Sequence, residues 1–247
     1  MLYVTFCYKP DADMLRMSSA RIRELDPTAK IYAVNDPAAP ITDTIPGVTF
    51  MQADFPRGGN LNGLATVAGE LAVFQRLLDA EYADYIVKFD CDLWVNQLGP
   101  FLQTLPEAGQ SVPDYLSVER AEPFVPSGML YRLSKWAVLS ITNEFNRRSQ
   151  AGQWAKWRFP EDITIYNLAR QGHLTCSLIP FTEGLTAGMG DSGPGGNETC
   201  HRAWFVHCGE PLPDGKRVSR EHATLRMRLL KWETYNQTKN ETTEPNN

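Results

Sequence analysis

Two aspartates separated by one residue follow an apolar segment and could bind a metal ion. Residues 85–96 read YIVKFDCDLWVN, in which Asp90 and Asp92 follow the apolar run Tyr85-Ile86-Val87. Because alternate residues of an extended chain point the same way, we expect both carboxylates on one side of the backbone. Like charges are not tolerated side by side in a dry interior, so we expect them at the open end of a strand, where Mg²⁺ or Mn²⁺ is the natural partner. A solvated Asp-x-Asp turn is the alternative interpretation.

The composition limits the class of protein. The chain has 247 residues, of which 43% are hydrophobic and 21% charged, and its net charge is −5 at pH 7. These values are typical of one large globular domain and do not indicate a broad nucleic-acid-binding surface. No run of eighteen or more apolar residues occurs, so no membrane span is predicted. Five cysteines without a C-x-x-C pair, in a chain that opens with a strand pattern and not a signal peptide, predict reduced thiols and a cytoplasmic location.

The first third of the chain has the pattern of an open α/β sheet. Residues 2–8 form the continuous apolar run of a buried parallel strand, residues 14–25 form an amphipathic helix, and residues 31–34 form a second strand. This order predicts a right-handed βαβ unit. Since strand ends in such units often bind a nucleotide, Tyr8 and Asp36 are candidates for base or ribose contacts. A turn residue before a proline is an equally good interpretation of Asp36.

The alternation of strands and helices continues along the chain. We predict further strands at 48–51, 115–118 and 204–209, and helices at 62–80, 134–145, 163–170 and 219–235. The sequence therefore predicts an α/β protein with one domain, residues 1–235, in which helices cover both faces of a mostly parallel central sheet. Residues 236–247 are polar and are predicted to form a disordered tail. Residues 184–196 contain six glycines and are predicted to form a long functional loop.

Five further residues, one of them a glycine, could belong to a binding or catalytic site. Arg76 could reach a diphosphate bidentately, although an arginine near a helix end is more often solvated. Gly128 would allow the backbone to approach a ligand closely. Glu161 and Asp162 precede a predicted helix, where carboxylates are stabilised by the helix dipole, so capping is the alternative to a chemical role. His207 ends the last predicted strand; together with Cys200, His201 and Cys208 it superficially suggests a zinc site, but their spacing fits no common zinc module.

In their order along the chain, these motifs resemble those of the metal-dependent glycosyltransferases of the GT-A fold. The resemblance covers about residues 2–216 and implies a single Rossmann-like domain. Residues 72–96 are similar to the family's block of helix, strand and DXD motif. In that block Asp90 and Asp92 match the two acids of the metal site, and Arg76 matches an arginine that contacts the donor diphosphate in some members.

The later motifs match the acceptor side of the same family. Gly128 lies in a segment similar to the glycine-containing segment of the retaining, glycogenin-like and bacterial galactosyltransferase members. Glu161 and Asp162 match the acidic pair that opens the acceptor-side helix, and His207 matches the C-terminal histidine of the metal site. The Lys-Pro-Trp motif that usually follows this histidine in the retaining group is replaced by a segment that ends at Lys216, which remains a candidate for donor binding.

The resemblance implies transfer of a sugar from a nucleotide diphosphate donor, most often a UDP-sugar, to an acceptor hydroxyl. A divalent cation at Asp90, Asp92 and His207 would neutralise the charge on the departing diphosphate, and the imidazole favours Mn²⁺ over Mg²⁺. In inverting members the second acid of the pair, here Asp162, is the general base. In retaining members the departing phosphate deprotonates the acceptor, and the sequence leaves the two stereochemical outcomes open.

Two other classes of protein remain as alternatives. A nucleotidyltransferase also uses paired acids and a metal ion, but it usually has a glycine-rich, basic loop after its first strand, where this chain has Cys7-Tyr8-Lys9-Pro10. A catalytically silent scaffold of the same fold would act only as a binding protein and would not need the acids or His207. The sequence does not specify the donor sugar, the oligomeric state or the acceptor, which could be a glycan, a lipid, a protein, a small molecule or a modified nucleobase.

Overall fold

A seven-stranded mixed sheet forms the centre of the protein. The computed structural model describes residues 1–53, 63–104, 111–119, 126–154, 159–179, 186–188, 204–209 and 218–241. The strands are β1 (Leu2–Cys7), β2 (Lys30–Asn35), β3 (Val48–Gln52), β4 (Tyr85–Phe89), β5 (Leu93–Val95), β6 (Tyr115–Glu119), β7 (Pro126–Ser134), β8 (Cys176–Ile179), β9 (Thr186–Gly188) and β10 (Phe205–His207). The α-helices are α1 (Ala12–Leu25), α2 (Gly63–Ala80), α3 (Lys135–Gln150), α4 (Glu161–Gln171) and α5 (Arg220–Glu241), and short 3₁₀ turns occupy Lys9–Asp11 and Gly99–Leu102.

The order of the strands explains where a ligand would bind. The central sheet runs β3-β2-β1-β4-β7-β6-β8. Strands β3, β2, β1 and β4 are parallel to their neighbours, as is the β6–β8 pair, whereas β7 is antiparallel to both β4 and β6. The chain therefore builds outward from β1 through β2 and β3, and then returns to place β4 on the other side of β1. Ligands of open α/β sheets bind in the crevice at such a reversal, outside the carboxyl ends of the strands.

Helices cover both faces of the sheet, as the sequence predicts, and two hydrophobic clusters form the core. On one face α1 and α5 pack against the sheet, and on the other face α2, α3 and α4 do so. The alternation of strand side chains divides β1 between the two clusters, with Tyr3 on the α1 side and Leu2 and Val4 on the α2 side. The prediction of a mostly parallel, doubly covered α/β sheet is confirmed.

Several element boundaries differ from the predictions. Helix α3 begins after Ser134, whose Oγ accepts a hydrogen bond from the Ala137 amide at 3.0 Å, and it continues to Gln150. Helix α5 continues to Glu241, past the domain end that we expected at residue 235. Strand β8 has no counterpart among the predicted elements, and β9 falls within the glycine-rich segment that we predicted as a loop. Among the described helices, none combines the length and the apolar character that crossing a bilayer requires.

A second, three-stranded sheet brings the end of the domain back to the central strand. It has the order β5-β10-β9, with β10 antiparallel to β5 and parallel to β9. In this register His207 pairs with Leu93, which immediately follows Asp92. The backbone amide of Cys208 donates to the carbonyl of Asp92 at 2.9 Å. The small sheet therefore fixes a late histidine beside the aspartates that follow β4.

Candidate functional site

The two aspartates lie in a tight turn between β4 and β5. The amide of Asp90 donates to the carbonyl of Met129 at 3.0 Å, and the amide of Leu93 donates to the carbonyl of Asp90 at 3.1 Å. These bonds end β4 and hold the turn at its carboxyl end. The side chain of Asp90 is 36% exposed, whereas Asp92 is buried at 7% exposure. The sequence placed both aspartates at the open end of the strand, and the structure does the same, with one of them more deeply buried.

Asp90, Asp92 and His207 form a cluster that could hold a metal ion. One potential ligand atom from each residue lies within 4.8 Å of the others. His207 Nε2 lies 3.4 Å from Asp92 Oδ1. Two carboxylates and an imidazole are suitable ligands for Mn²⁺, and the oxygens also suit Mg²⁺. The residues predicted to bind the metal are therefore brought together in a geometry that fits a divalent cation.

Gly209 leaves the space that this cluster needs. A Cβ atom added at Gly209 would lie 2.2 Å from Asp92 Oδ2 and 3.3 Å from His207 Nε2. Real Cβ atoms do not approach an oxygen this closely, so a larger residue would displace the carboxylate of Asp92. A glycine is therefore required at position 209, because any side chain there would collide with the carboxylate of Asp92.

Arg220 contributes a positive charge to the site, and sequence reasoning missed it. Its Nη1 donates to Asp92 Oδ2 at 2.9 Å, and its Nε lies 3.3 Å from Asp11 Oδ1 and 3.2 Å from Tyr8 Oη. The guanidinium carbon also lies 5.6 Å from the centre of the Tyr8 ring. Arg220 is the first residue of α5, where the helix dipole disfavours a cation, so the two acids compensate for its position. Nothing in the local sequence distinguishes it from a solvated arginine.

Burial and neighbouring charges perturb the acids around Arg220. Burial raises the pKa of Asp11 to about 6, although Arg220 and the Tyr8 amide act in the opposite direction. Burial would also raise the pKa of Asp92, but the contact with His207 and the charge of Arg220 outweigh it and hold that pKa below its usual range. Asp92 is therefore an anion at neutral pH, which is the form that binds a cation.

Lys88 connects the metal cluster to the opposite wall of the site. Its Nζ donates to Asp90 Oδ1 at 2.5 Å and to the carbonyl of Gly128 at 2.7 Å. Burial disfavours the ammonium, but Asp90, Glu70 and Glu161 outweigh it and raise the pKa of Lys88. Burial also raises the pKa of Glu70 to about 8, with Lys88 opposing the shift. Two buried titratable side chains, Lys88 and Glu70, therefore lie near the carboxyl end of β4.

The predicted acceptor-side residues meet at the start of α4. A Cβ at Gly128 would lie 2.6 Å from Asp162 Oδ2, so the close approach that this glycine allows is to the Asp162 carboxylate. Asp162 is buried at 2% exposure, and its Oδ1 accepts from the Ile163 amide at 2.8 Å. Glu161 has a buried oxygen, Oε2, that no described residue hydrogen-bonds. Burial, with Asp162 and Asp90 adding to it, raises the pKa of Glu161 against the influence of Lys88.

Of the remaining predicted residues, Tyr8 and Asp36 lie at strand ends and Arg76 lies outside the cluster. Tyr8 and Asp36 follow β1 and β2 at the same edge of the sheet, where the Asp36 amide donates to the Cys7 carbonyl at 3.0 Å. Asp36 Oδ1 accepts from the Ala38 amide at 2.7 Å, as the turn interpretation predicts. Arg76 is exposed on α2 and contacts the sulfur of Met51 at 3.9 Å, on the far side of β2 and β1 from β4. The structure thus places Arg76 outside the cluster.

Two predicted features lie outside the described residues. Lys216, a candidate for donor binding, is one of them. The glycine-rich segment 184–196 is the other, apart from the three residues of β9.

The architecture is similar to that of solved glycosyltransferases. A glycosyltransferase involved in the glycosylation of the major capsid of PBCV-1 matches with a TM-score of 0.58 and 13% identity, over 92% of this chain and 98% of that chain. The galactosyltransferase LgtC in complex with donor and acceptor sugar analogues matches with a TM-score of 0.51 and 14% identity, over 92% of this chain and 95% of that chain. An active-site mutant of LgtC matches with a TM-score of 0.51 and 13% identity, over 91% and 94% of the two chains.

The sequence comparisons give no further relatives: no protein-family model and no curated protein matches the chain. The strand order and the likeness to solved structures extend over nine-tenths of the chain, and the Asp90-Asp92-His207 cluster lies at the carboxyl end of β4. Together these observations show that the chain has the GT-A fold.

Proposed function

We propose that the protein transfers a sugar from a nucleotide diphosphate donor to an acceptor hydroxyl, with a divalent cation bound by Asp90, Asp92 and His207. The observation that carries this proposal is the convergence of their three ligand atoms within 4.8 Å at the carboxyl end of β4. This edge is where ligands of open α/β sheets bind. A cation bound there supplies a Lewis acid for the negative charge that develops on the departing diphosphate. The imidazole supports Mn²⁺ as the ion, with Mg²⁺ as the alternative.

The arrangement around β1 supports a nucleotide-binding role next to the metal cluster. Tyr8 and Asp36 follow neighbouring parallel strands, and Arg220 bridges Tyr8 and Asp92. A nucleoside near Tyr8 and Asp36 would direct its diphosphate towards Arg220 and the metal acids. The donor proposed here is a UDP-sugar, as the resemblance of the sequence motifs implies; the donor sugar analogue in the LgtC structure supports a sugar donor in general. Arg76 and Lys216 remain predicted donor contacts from the sequence.

The acceptor would bind on the other side of the cluster, near the start of α4. The resemblance implies Asp162 as the general base if the enzyme inverts, but its carboxylate is packed against Gly128 and accepts a hydrogen bond from an amide of its own helix. Glu161 has an oxygen without a described hydrogen-bond donor, and leaving such an oxygen unpaired costs about 1–3 kcal/mol. A hydroxyl of the acceptor could supply the missing donor. We therefore propose Glu161 as the acid that contacts the acceptor and Asp162 as its neighbour that shapes the helix start.

A panel of nucleotide-sugars with and without Mn²⁺ tests the proposal. A donor that binds should raise the thermal stability of the protein only when Mn²⁺ is present, because a ligand of the native state shifts the unfolding equilibrium. Release of nucleoside diphosphate would then identify a glycosyltransferase, release of pyrophosphate a nucleotidyltransferase, and binding without turnover a silent scaffold. Asp90→Ala and Asp92→Ala should abolish turnover, whereas Asp43→Ala, at an exposed site, serves as the matched control.

A further inference from the structure

Lys88 is a charged residue at a position that the pattern of its strand does not explain. It lies in β4 between Val87 and Phe89, both completely buried, and it is itself only 5% exposed. A buried ammonium costs several kcal/mol unless opposite charges and hydrogen bonds compensate for it. The proposed chemistry gives Lys88 no direct part, so its presence in the central strand needs a separate explanation.

The two hydrogen bonds of Lys88 join the two halves of the proposed site. One goes to Asp90 Oδ1, an atom on the metal side, and the other to the carbonyl of Gly128, on the acceptor side. Gly128 in turn packs against the carboxylate of Asp162. A single side chain therefore holds a proposed metal ligand and the strand that borders the acceptor acids.

Glu70 and Tyr131 form the surroundings of the Lys88 side chain. Glu70 of α2 is 2% exposed, and its Oε2 accepts a hydrogen bond from the hydroxyl of Tyr131 at 3.0 Å. The Lys88 Nζ lies 5.8 Å from the centre of the Tyr131 ring. The ammonium thus lies beside the Tyr131 ring and is bonded to Asp90, and the charge of Glu70 acts on it as well. This environment fixes the position of Nζ and, through it, the carboxylate of Asp90.

We propose that Lys88 is a positioning residue that orients Asp90 for metal binding and sets the spacing between the metal side and the acceptor side of the site. The inference rests on the proposed function, because it assumes that Asp90 is a metal ligand. Without Lys88, the partly exposed carboxylate of Asp90 would lose its hydrogen-bond donor and could rotate, and the Gly128 carbonyl would lose its partner. Hydrogen bonds to metal ligands commonly change metal affinity by about 10- to 100-fold.

The direction of the change in Mn²⁺ affinity distinguishes a positioning role of Lys88 from a purely electrostatic role. Removing a positive charge near a cation site should strengthen cation binding if electrostatics alone acts, since like charges repel. Positioning predicts the opposite: the Lys88→Met variant should bind Mn²⁺ more weakly. A purely structural role predicts a loss of thermal stability with unchanged Mn²⁺ affinity in the fraction that remains folded.

The experiment measures Mn²⁺ binding to the full chain by calorimetry, with Glu70→Gln as the background. Glu70→Gln keeps the shape of Glu70 and prevents a buried carboxylate from being left alone when Lys88 is removed. In this background we expect Lys88→Met to raise the Mn²⁺ dissociation constant about tenfold or more. Lys88→Gln, which retains a hydrogen-bond donor on a shorter side chain, should give a smaller increase. It also provides the same measurement if Lys88→Met fails to fold.

A double-mutant cycle with Asp90→Asn completes the test. If Lys88 acts through Asp90, the Lys88 substitution should change Mn²⁺ affinity by less than about twofold once Asp90 is Asn, because coupled residues are not additive. Additive effects, or unchanged or tighter Mn²⁺ binding by a folded Lys88 variant, would overturn the inference while the proposed function stands. Absence of Mn²⁺ binding in the wild-type protein would instead overturn the proposed metal site itself.

Discussion

The Nε2 atom of His207 lies 3.4 Å from Oδ1 of Asp92, although the two residues are far apart in the sequence. The antiparallel pairing of β10 with β5 produces this proximity, because it places His207 opposite the residue that follows Asp92. If both side chains bind one ion, the removal of either should weaken metal binding more than it lowers the stability of the fold.

We expect His207→Ala to raise the Mn²⁺ concentration needed for half-maximal activity by about tenfold or more, since it removes a ligand and leaves both carboxylates. The acceptor KM should change less. His222→Ala, at an exposed site on α5, is the matched control and should leave the Mn²⁺ titration unchanged. A His207→Ala enzyme with a normal Mn²⁺ titration would show that His207 is a structural residue.

Gly209→Ala should disturb the same cluster by a different route. The added Cβ would meet Asp92 Oδ2 at 2.2 Å, so the carboxylate must move. We expect a larger loss in Mn²⁺ affinity than in thermal stability, measured by calorimetry and by thermal unfolding. Gly172→Ala at the end of α4 is the control, because its Cβ would approach no atom closer than 3.2 Å. Equal Mn²⁺ affinities of the Gly209→Ala and wild-type proteins would contradict the assignment of Asp92 as a ligand.

The acidic pair at the start of α4 gives a comparison between two neighbouring variants. If Glu161 contacts the acceptor, Glu161→Gln should lower kcat about 100-fold or more with little change in donor KM, as loss of a general base does. Asp162→Asn should then act mainly on thermal stability. The reverse ranking would support Asp162 as the base, the role that the resemblance implies for inverting members. The anomeric configuration of the product, read by NMR, should be inverted if either acid is the base.

The burial of Glu70 predicts a pH-dependent stability. Burial raises the pKa of Glu70 to about 8 in the folded protein, above its value in an unfolded chain, so the native state holds the proton more tightly. Wild-type stability should therefore fall relative to Glu70→Gln as the pH rises from about 4.5 to 8, by at most about 1.4 kcal/mol per pH unit. Denaturant unfolding at pH 5, 6.5 and 8 measures this slope.

Glu144→Gln is the control for that experiment. Hydrogen bonds from Arg147 and Arg148 lower the pKa of the half-buried Glu144 to about 2. Its stabilising effect is complete above its unfolded pKa, so the Glu144→Gln difference should be constant over the same pH range. A Glu70→Gln difference that is equally constant would show that Glu70 does not exchange a proton in this range.

The sequence by itself determined the β1–α1–β2 unit and the position of Asp90 and Asp92 after β4. Apolar runs and helical periodicity depend on nearest neighbours, so β1, α1, β2 and the Asp90/Asp92 turn could all be predicted from local pattern. The pattern also predicted the helices on both faces, because a parallel connection must cross over the sheet. Element ends were less well predicted, as the continuation of α5 to Glu241 illustrates.

Only the tertiary structure decided which charged residues meet. Arg220 contacts Asp92, Asp11 and Tyr8 because α5 packs beside α1, and Lys88 contacts Gly128 because β7 is antiparallel to β4. Arg76, a candidate from the sequence, instead contacts Met51 of β3. The sequence around a charged residue looks the same whether its side chain is solvated or paired. Its partners lie on other elements, and the sequence does not show how those elements are arranged relative to one another.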